Sequence, residues 1–498
     1  MFEKITPEQA GISSKRIADY ISVLERRGFA THSLLMMKGD KIFAEYYWAP
    51  FNKDFCHRMY SQTKSYVAIA IGLLEEDGLI DLDKPLVSYF PEKIDGELHP
   101  FRAQQTVREM LTMQTPAGCP NWFTDPDPDR THLYINSPST SIIRPCNTTW
   151  TYDSAGSQVM GALVEKIAGK SLFDFLYERI FKHLGTFNTA TILKTKNGDS
   201  WGDSALLCTT RDMASFARFV MNYGTWNGKR LMNEEYLRKA TSNLVSNDET
   251  AWPNCFRHGY GYQIWRTEQD GFAFVGMGDQ LTIMHPETDT VFVITSDNQG
   301  FAPAREIIVN TYFDYVVTPM QKGALAPDAE AEAVLARETS DLKLKYEKGL
   351  AYHENADKYN DKEFICEVTG NMGITKFSFH FEGDRGEFRY TNAQGDKVLP
   401  FGICHNVFCK FPELGYSNEN GGIHDVKNPF RYDAAVSASW RVDGKLMINC
   451  QIIDRYFGNF SAVFAFNGDY VATTMTKTAE DFLDKYQGRA YGSCRTSL

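Results

Sequence analysis

Apolar and polar residues follow helical and strand spacings by turns in the first two thirds of the chain. The stretch SSKRIADYISVLERRG at residues 13–28 has apolar residues at helical intervals and ends in glycine, so it predicts a helix that stops at Gly28. The next stretch, HSLLMMKGDKIFAEYYW, predicts two strands joined by a turn at residues 38–40. A helix followed by a strand pair is typical of a mixed α and β fold.

Three later stretches extend this pattern. YSQTKSYVAIAIGLLEEDG at residues 60–78 and SQVMGALVEKIAGKS at residues 157–171 predict helices that end near Gly78 and Gly169. QLTIMHPETDTVFVITSDN at residues 280–298 predicts a hairpin with its turn at residues 286–289. Strands at both ends of this region, with helices between them, predict an α+β fold with an antiparallel sheet flanked by helices.

The composition changes in GALAPDAEAEAVLARETSDLK, residues 323–343, which is rich in Ala and Glu and lacks aromatic residues. This segment predicts a linker with helical potential. Beyond it, short apolar or alternating runs between Gly, Asn and Asp turns predict an all-β region, either a barrel or a sandwich. We therefore expect an α+β domain over residues 1–325, a linker over 326–343 and a β-rich domain over 344–498.

Composition narrows the functions that the chain can have. Its 498 residues exceed one ordinary domain, and 43% apolar residues suffice for packed cores. The net charge of −11 and the lack of a Lys- and Arg-rich run argue against nucleic-acid binding. The longest apolar candidate, residues 66–74, is too short for a membrane span, so we expect no membrane partner.

The N-terminus and the cysteines indicate the compartment. The stretch MFEKITPEQAGISSKR lacks the basic and apolar runs of a secretory signal. The ten cysteines are scattered, without a C-x-x-C pair or a zinc-ligand spacing. We therefore expect reduced thiols, a cytoplasmic location, no metal site and no cofactor.

One polar pair lies at the start of the apolar helix of residues 60–78. Ser61 and Lys64 are spaced i, i+3, which places them on one helix face. A serine hydroxyl needs a base to become a nucleophile, and the helix N-terminus together with desolvation favours a neutral lysine that can act as that base. The pattern also fits a helix-capping serine followed by a surface lysine. A second match, Ser340 to Lys343, lies in the linker, where we expect an exposed face.

The chain resembles the serine β-lactamase-like hydrolases in five stretches that keep the family's order: HRMYSQTKSYVAIAIGLLEEDGLIDLDKPLVSYFPE, TVREMLTMQTPAG, WTYDSAGSQVMGALVEKIAGKSLFDFLYERIFKHLG, ALLCTTRDMASFARFVMNYGTWNGKRLM and HGYGYQIW. This family includes class C β-lactamases, D-alanyl-D-alanine peptidases and related esterases. The resemblance covers roughly residues 5–315. It implies the family's α+β fold and an acyl-enzyme mechanism at Ser61 with Lys64.

The resemblance also implies a tyrosine in the acid and base group, from the family's Y-x-N or Y-x-S element. The matching residues are Tyr152, Asp153 and Ser154. A phenol near Lys64 can carry a proton as phenol and phenolate, and Ser154 can donate one hydrogen bond in place of the commoner asparagine. The literal Y-x-N at residues 134–136 has no helix behind it, and we expect no catalytic role for it.

The family's third motif, a strand with Lys-Thr-Gly or His-x-Gly, is not spelled in this sequence. Phe274, Val275 and Gly276 stand in its place. The missing cation would bind a substrate carboxylate, so this departure favours ester or amide substrates that lack one. Gly276 permits close approach of a substrate to the strand, and the N–H groups of Met277 and Ser61 are the expected oxyanion hole.

Other candidate residues have a weaker signal. Trp122, in the stretch GCPNW, stands where the family has its specificity loop, and it either walls the pocket or packs within the loop. His57 and His258 lie near motifs, and we expect them to be structural. The sequence has no H-E-x-x-H, P-loop or G-x-S-x-G motif, so a zinc enzyme, a nucleotide enzyme and an α/β-hydrolase lack support.

These observations together predict a serine hydrolase that acts through an acyl-enzyme on a small ester or amide. One alternative is a β-lactamase or D-amino-acid peptidase of the same fold. Another is a ligand-binding or sensor protein on that scaffold, in which Ser61 reacts without turnover. The expected partner is a small-molecule substrate, and the sequence does not predict an oligomeric state.

Overall fold

The computed structural model describes residues 2–116, 118–119, 122, 125, 127–248, 253–370, 372–416 and 430–494. These residues form two compact units, one that extends to Lys343 and one that begins at Leu344. The first unit combines helices and strands, and the second consists mainly of strands.

An antiparallel sheet forms the centre of the first unit. The strands of this unit are β1 Glu3–Lys4, β2 Thr31–Lys38, β3 Lys41–Tyr47, β4 His57–Arg58, β5 Thr191–Ile192, β6 Leu206–Cys208, β7 Thr225–Trp226, β8 Lys229–Arg230, β9 Trp265–Arg266, β10 Phe272–Gly276, β11 Gln280–His285 and β12 Thr290–Ser296. Seven of them form one sheet in the order β1-β3-β2-β12-β11-β10-β9. Every pairing in this sheet is antiparallel except that of β1 with β3, so the predicted antiparallel sheet is confirmed.

Helices cover both faces of this sheet. The α-helices among the described residues are α1 Pro7–Ala10, α2 Ser14–Arg27, α3 Thr63–Glu76, α4 Pro100–Gln104, α5 Val107–Leu111, α6 Arg130–Ile135, α7 Ser154–Ala168, α8 Leu172–Leu176, α9 Lys182–Leu184, α10 Thr210–Met221, α11 Glu234–Ala240, α12 Ala304–Tyr312, α13 Ala329–Glu338 and, in the second unit, α14 Asn355–Tyr359. Wider π-helical turns connect α8 to α9 and extend α12 through Val317. Helices α3, α7 and α10 contribute to one apolar cluster, and α2, α12 and α13 contribute to the other.

Alternation along the strands separates the two apolar clusters. On β12, Val291 and Val293 point into the cluster with α3, while Phe292 and Ile294 point into the cluster with α2. Because both faces are covered, the central strands β2 and β12 are buried, apart from Lys38 at the end of β2. Helix α3 is likewise buried on all sides from Thr63 to Leu74, which explains why its sequence lacks a polar face.

The helix ends agree with the sequence prediction. Helix α2 ends at Arg27, and Gly28 follows in the left-handed conformation with φ 66°. Helix α7 ends before Gly169 in the same way. The segment predicted as a linker contains α13, which packs on α2 through Leu335, and this helix belongs to the first unit.

The second unit is a closed β-barrel. Its strands are β13 Phe364–Val368, β14 Lys376–Glu382, β15 Arg385–Asn392, β16 Gly395–Ile403, β17 Val407–Lys410, β18 Asp433–Trp440, β19 Leu446–Ile452, β20 Asn459–Asn467, β21 Tyr470–Thr478 and β22 Gly488–Ser493. They pair in the order β16-β15-β14-β13-β22-β21-β20-β19-β18-β17, and a parallel pairing of β16 with β18 closes the ring. The sequence left barrel and sandwich open, and the structure shows the barrel.

Two further observations concern membrane-spanning helices and disulfide bonds. Every helix among the described residues is too short or too polar to cross a bilayer. No disulfide bond joins any of the ten cysteines, all of which lie in the described part of the chain.

A buried histidine, His57, lies just before the segment that carries Ser61 and contacts a second buried histidine, His32. His57 donates from Nδ1 to the carbonyl oxygen of Arg58 at 3.0 Å, and its Nε2 lies 2.7 Å from Nδ1 of His32. Burial lowers the pKa of His57 to about 3, although the bond to the Arg58 carbonyl opposes this shift. His57 therefore has the structural role that the sequence suggested, as a neutral group inside the core.

We predict that His57 makes the fold sensitive to mild acid. An unfolded histidine binds a proton near pH 6.5, whereas buried His57 does not until about pH 3. Above pH 6.5, His57 therefore does not reduce the free energy of unfolding. As the pH falls from 6.5 toward 3, the free energy of unfolding decreases by at most about 1.4 kcal/mol per pH unit. His57→Gln should flatten the fall of the unfolding temperature between pH 6.5 and 4, measured by calorimetry. His258→Gln at an exposed histidine is the control, and equal slopes for all three proteins would contradict the prediction.

Candidate active site

A sharp turn presents Ser61 at the surface of a cleft. The chain leaves β4, passes through a 3₁₀ turn at Tyr60–Gln62 and enters α3. Tyr60 has φ 46°, a left-handed conformation that is uncommon for a residue other than glycine. Met59 N–H donates to the carbonyl of Leu206 at 2.8 Å, and Thr63 Oγ1 donates to the carbonyl of Tyr60 at 2.7 Å. These bonds hold the strained turn in place directly before the serine.

Ser61 and Lys64 are in direct contact. The distance from Lys64 Nζ to Ser61 Oγ is 2.9 Å, as the i, i+3 spacing predicted. Ser61 is half-buried, while the side chain of Lys64 is only 2% exposed. Lys64 is therefore not a surface lysine. Because a buried amine needs partners for its hydrogens, Lys64 must have further contacts besides Ser61.

The second partner of Lys64 is Asp203, a residue that sequence reasoning missed. Lys64 Nζ donates to the backbone carbonyl of Asp203 at 2.7 Å and lies 3.5 Å from Oδ2 of its carboxylate. Asp203 is in the stretch WGDS, which has no motif signal and lies 139 positions from Lys64.

Tyr152 lies beside this pair. Lys64 Nζ is 5.2 Å from the centre of the Tyr152 ring, within the range of a cation–π contact. The ring stacks on Trp265, with centroids 5.8 Å apart and an interplanar angle of 24°, and it is 36% exposed. Its hydroxyl makes no hydrogen bond to another described residue, which leaves that group available at the cleft.

The two residues after Tyr152 belong to the start of α7. Asp153 is the N-cap: its carboxylate accepts from Gly156 N–H at 2.9 Å and from the hydroxyl of Tyr134 at 2.8 Å. Tyr134, the tyrosine of the rejected Y-x-N, is therefore a buried structural residue. Ser154 is half-buried as the first residue of α7 and does not line the cleft with Ser61.

Strand β10 passes close to the turn that carries Ser61. Beyond Ala273, the β10 edge that faces away from β11 has no strand partner among the described residues. A Cβ atom on Gly276 would lie 2.2 Å from the carbonyl oxygen of Met59, so only glycine permits this approach. The close contact places the end of β10 against the serine turn.

The turn after β10 carries Met277 and is braced from β12. Ser296 Oγ donates to the carbonyl of Gly278 at 2.8 Å, and Asn298 N–H donates to the same carbonyl at 3.2 Å. Ser296 and Asn298 therefore support this turn, and neither residue lines the cleft. Met277 is 43% exposed, and its N–H donates to no other described residue. Ser61 lies in the first turn of a helical segment, where N–H groups lack intrahelical acceptors.

A single cleft brings most of these residues together. It has a volume of about 460 Å³, and its lining consists of Ser61, Trp150, Thr151, Tyr152, Trp265, Val275, Gly276, Met277 and Arg305. Trp122 is not part of this lining. It is half-buried against the apolar cluster of α3, and the residues beside it, Pro120 and Asn121, lie outside the described part of the chain.

Arg305 supplies a cation that the sequence did not predict. Its Nε donates to Oδ1 of Asp279 at 2.9 Å, and its Nη2 donates to the carbonyl of Gly276 at 2.9 Å. It comes from α12, whereas the family's motif lysine would come from the strand. Arg305 is thus a cation in the lining of the cleft that is paired with Asp279, and the preference for substrates without a carboxylate stays a prediction.

Comparisons with known proteins agree with this architecture. A 6-aminohexanoate-dimer hydrolase from Paenarthrobacter ureafaciens is 25% identical over 312 residues, which cover 58% of this chain and 78% of that protein. The structure of a putative 6-aminohexanoate-dimer hydrolase from Bacillus anthracis is similar with a TM-score of 0.52 at 20% identity, over 63% of this chain and 86% of that chain.

A third comparison includes the second unit. The octameric penicillin-binding protein homologue from Pyrococcus abyssi is similar with a TM-score of 0.51 at 15% identity, over 96% of this chain and 99% of that chain. The family model described as Beta-lactamase matches residues 17–310, more than half of the 498 residues. The chain therefore belongs to the beta-lactamase family of hydrolases, with a closed barrel added at its C-terminal side.

Proposed function

We propose that the chain is a serine hydrolase that cleaves a small ester or amide through an acyl-enzyme on Ser61. The observation that carries this proposal is the 2.9 Å contact between Lys64 Nζ and the hydroxyl of Ser61 at an open cleft. A nucleophile within hydrogen-bond reach of a proton-transfer group, with a further group orienting that partner, is the arrangement that activates a serine. Lys64 donates to the backbone carbonyl of Asp203 and lies beside the ring of Tyr152, and these contacts support the proposed arrangement.

The reaction follows from the positions of these groups. Ser61 Oγ attacks the substrate carbonyl carbon, and its proton passes to Lys64 or Tyr152. The N–H groups of Ser61 and Met277 bind the oxyanion, and each such donor lowers the barrier by about 3 kcal/mol. The leaving alcohol or amine takes this proton as its bond to the carbonyl carbon breaks. A water molecule then attacks the acyl carbon and gives a proton to the same base, and Ser61 Oγ takes that proton as its bond to the acid breaks.

The cleft selects a small substrate. Its volume of about 460 Å³ lies within the range of roughly 300–1,000 Å³ found for small-molecule sites. The stacked rings of Trp265 and Tyr152 with Trp150 form an apolar wall, and Met277 adds an adaptable apolar side chain. The name of the Paenarthrobacter relative, a 6-aminohexanoate-dimer hydrolase, supports hydrolysis of a small molecule.

Arg305 is the reason to consider substrates that carry a carboxylate. A guanidinium in the cleft can bind a carboxylate, which penicillins and peptide C-termini carry. A β-lactamase or D-amino-acid peptidase therefore remains the second candidate, and the observation that favours it is the position of Arg305 in the lining of the cleft. The pairing of Arg305 with Asp279 reduces this attraction.

We predict that reaction at Ser61 depends on all three residues. Ser61→Ala should abolish labelling by a fluorophosphonate and turnover of nitrophenyl acetate. Lys64→Ala and Tyr152→Phe should lower the labelling rate at least about 100-fold, because each removes a proton-transfer group. Ser340→Ala is the matched control, since Ser340 is an exposed serine in the same S-x-x-K pattern.

The outcomes separate the candidate functions. Labelling with turnover supports the hydrolase. Labelling without turnover would support the sensor, and a wild-type protein that shows neither would contradict acylation altogether. Turnover that Ser61→Ala retains would assign the chemistry to another residue.

We predict that Gly276→Ala separates the oxyanion donor from the nucleophile. The added methyl group meets the carbonyl oxygen of Met59, so β10 must move away from the serine turn. The acylation rate constant should fall by about 100-fold or more, the effect of losing one oxyanion donor. Gly323→Ala is the control because its methyl group would meet nothing within 4 Å. Equal stopped-flow acylation rates for both variants would refute the role of Gly276.

We predict that Arg305 determines the preference for anionic esters. Arg305→Met should lower kcat/KM for a nitrophenyl monoester of succinate about 10-fold relative to nitrophenyl butyrate, because a hydrogen bond to a charged group is lost. Arg305→Lys retains the positive charge and should retain most of the preference. If the ratio of the two kcat/KM values is the same in wild type and Arg305→Met, substrate carboxylates do not contact this residue.

A further inference from the structure

Gln263 is a buried residue that forms hydrogen bonds to three helices of the first unit. It lies two residues before Trp265, in the loop that leads into β9, and it is 2% exposed. Its carbonyl accepts from the hydroxyl of Ser65 on α3 at 2.7 Å, and its Oε1 accepts from the hydroxyl of Ser157 on α7 at 2.8 Å. Its Nε2 donates to the carbonyl of Met110 on α5 at 2.8 Å. One residue therefore connects α3, α5 and α7.

The backbone of Gln263 has a conformation that favours glycine. Its φ of 56° lies in the left-handed region, which is uncommon for a residue with a side chain. In this conformation its N–H donates to the carbonyl of Leu111 at 2.9 Å, so the main chain and the side chain both bind the C-terminal end of α5. Glycine would adopt the conformation without strain, but it has no amide to bind Met110 and Ser157. The strained glutamine is thus explained by the contacts of its side chain.

The helices that Gln263 joins carry Lys64 and Tyr152. Lys64 and the nucleophile lie one turn apart in a single helical segment, so α3 alone sets the distance between them. Tyr152 comes from the segment before α7, and its distance from Lys64 depends on how α7 is placed against α3. Gln263 binds α3 at Ser65, the residue directly after Lys64, and it binds α7 at Ser157 near the start of that helix.

Two further contacts lead from Gln263 to the ring of Tyr152. The hydroxyl of Ser157 also lies 3.0 Å from the carbonyl of Asp153, the residue that follows Tyr152. Trp265 follows Gln263 by two residues and stacks on the ring of Tyr152, with centroids 5.8 Å apart. Contacts of Gln263 therefore reach Tyr152 both along its own chain segment and through the ring that it stacks on.

We propose that Gln263 is a positioning residue that sets the place of the Tyr152 hydroxyl relative to Lys64. This inference rests on the proposed acylation of Ser61, with Tyr152 as a proton-transfer group. Gln263 is not part of the lining of the cleft, and it acts through the helices that it joins. A misplacement of about 1 Å in a reacting group can cost roughly 100-fold in rate, so a residue that fixes this geometry affects the reaction without touching the substrate.

The test is a double-mutant cycle on the rate constant of fluorophosphonate labelling in the full chain. Gln263→Met removes the amide but keeps an unbranched side chain of similar length. It should lower the rate constant about 10-fold or more, because Tyr152 is then no longer held in place. In a Tyr152→Phe background the hydroxyl that Gln263 positions is absent, so Gln263→Met should change the rate constant by less than about twofold.

Ser157→Ala is a second variant that removes one hydroxyl from the same network. It should lower the rate constant about fivefold, the effect of one hydrogen bond, and it should again have little effect in the Tyr152→Phe background. Ser14→Ala is the matched control, since Ser14 is a buried serine on α2 whose hydroxyl donates to Oε2 of Glu8 at 2.8 Å. This control should label at the wild-type rate. Thermal unfolding of each variant shows that it is folded at the labelling temperature.

The cycle distinguishes a positioning role from a structural one. Equal fold decreases for Gln263→Met in the two backgrounds would overturn the proposal, because a general loss of structure acts on both alike. Wild-type rates for Gln263→Met and Ser157→Ala would also overturn it, and if Gln263→Met does not fold, the Ser157→Ala cycle decides. A Tyr152→Phe protein that labels as fast as wild type would refute both the role of Tyr152 and this proposal. A wild-type protein that does not label would refute the proposed function itself.

Discussion

Lys64 can remain buried because Ser61 and Asp203 together accept its hydrogen bonds. An amine that is nearly closed to water has a high cost unless its hydrogens are paired. Here the partners are a serine hydroxyl at 2.9 Å and a backbone carbonyl at 2.7 Å. This constraint explains why a lysine stands at the start of a helix that is otherwise apolar on every side. In the proposed reaction this contact also serves the chemistry, since it places the Lys64 amine against the hydroxyl of Ser61.

The central sheet also contributes to the site, because the backbone of β10 lies close to the turn that carries Ser61. Glycine at position 276 allows β10 to lie against the carbonyl of Met59, two residues before Ser61. Any side chain at this position would push the strand away. The usual third motif supplies both a cation and a backbone N–H group from one strand, whereas in this chain the two come from different elements. We propose that Gly276 and Met277 retain the backbone function, and a cation reaches the cleft from α12 as Arg305.

Local patterns allowed much of the fold to be predicted, because they depend on neighbours in sequence. Gly28 ends α2, and Ser61 and Lys64 meet across one helical turn, both as the spacing indicated. Asp203 and Arg305 could not be found in this way, since each approaches the site only after distant elements pack together. The choice between barrel and sandwich also depends on a pairing between β16 and β18 that no local pattern encodes. Trp122 and Ser154 were placed near the site by resemblance alone, and neither lines the cleft.

The most direct test of the central claim, that the hydroxyl of Ser61 forms a covalent acyl intermediate, is peptide mapping by mass spectrometry. The protein is mixed with a slowly hydrolysed nitrophenyl ester, quenched in acid during turnover and digested. We predict the mass of one acyl group on the peptide that contains Ser61, lost on longer incubation as product accumulates. An acyl group on a different residue, or steady product formation with no acylated peptide at any time, would contradict the claim.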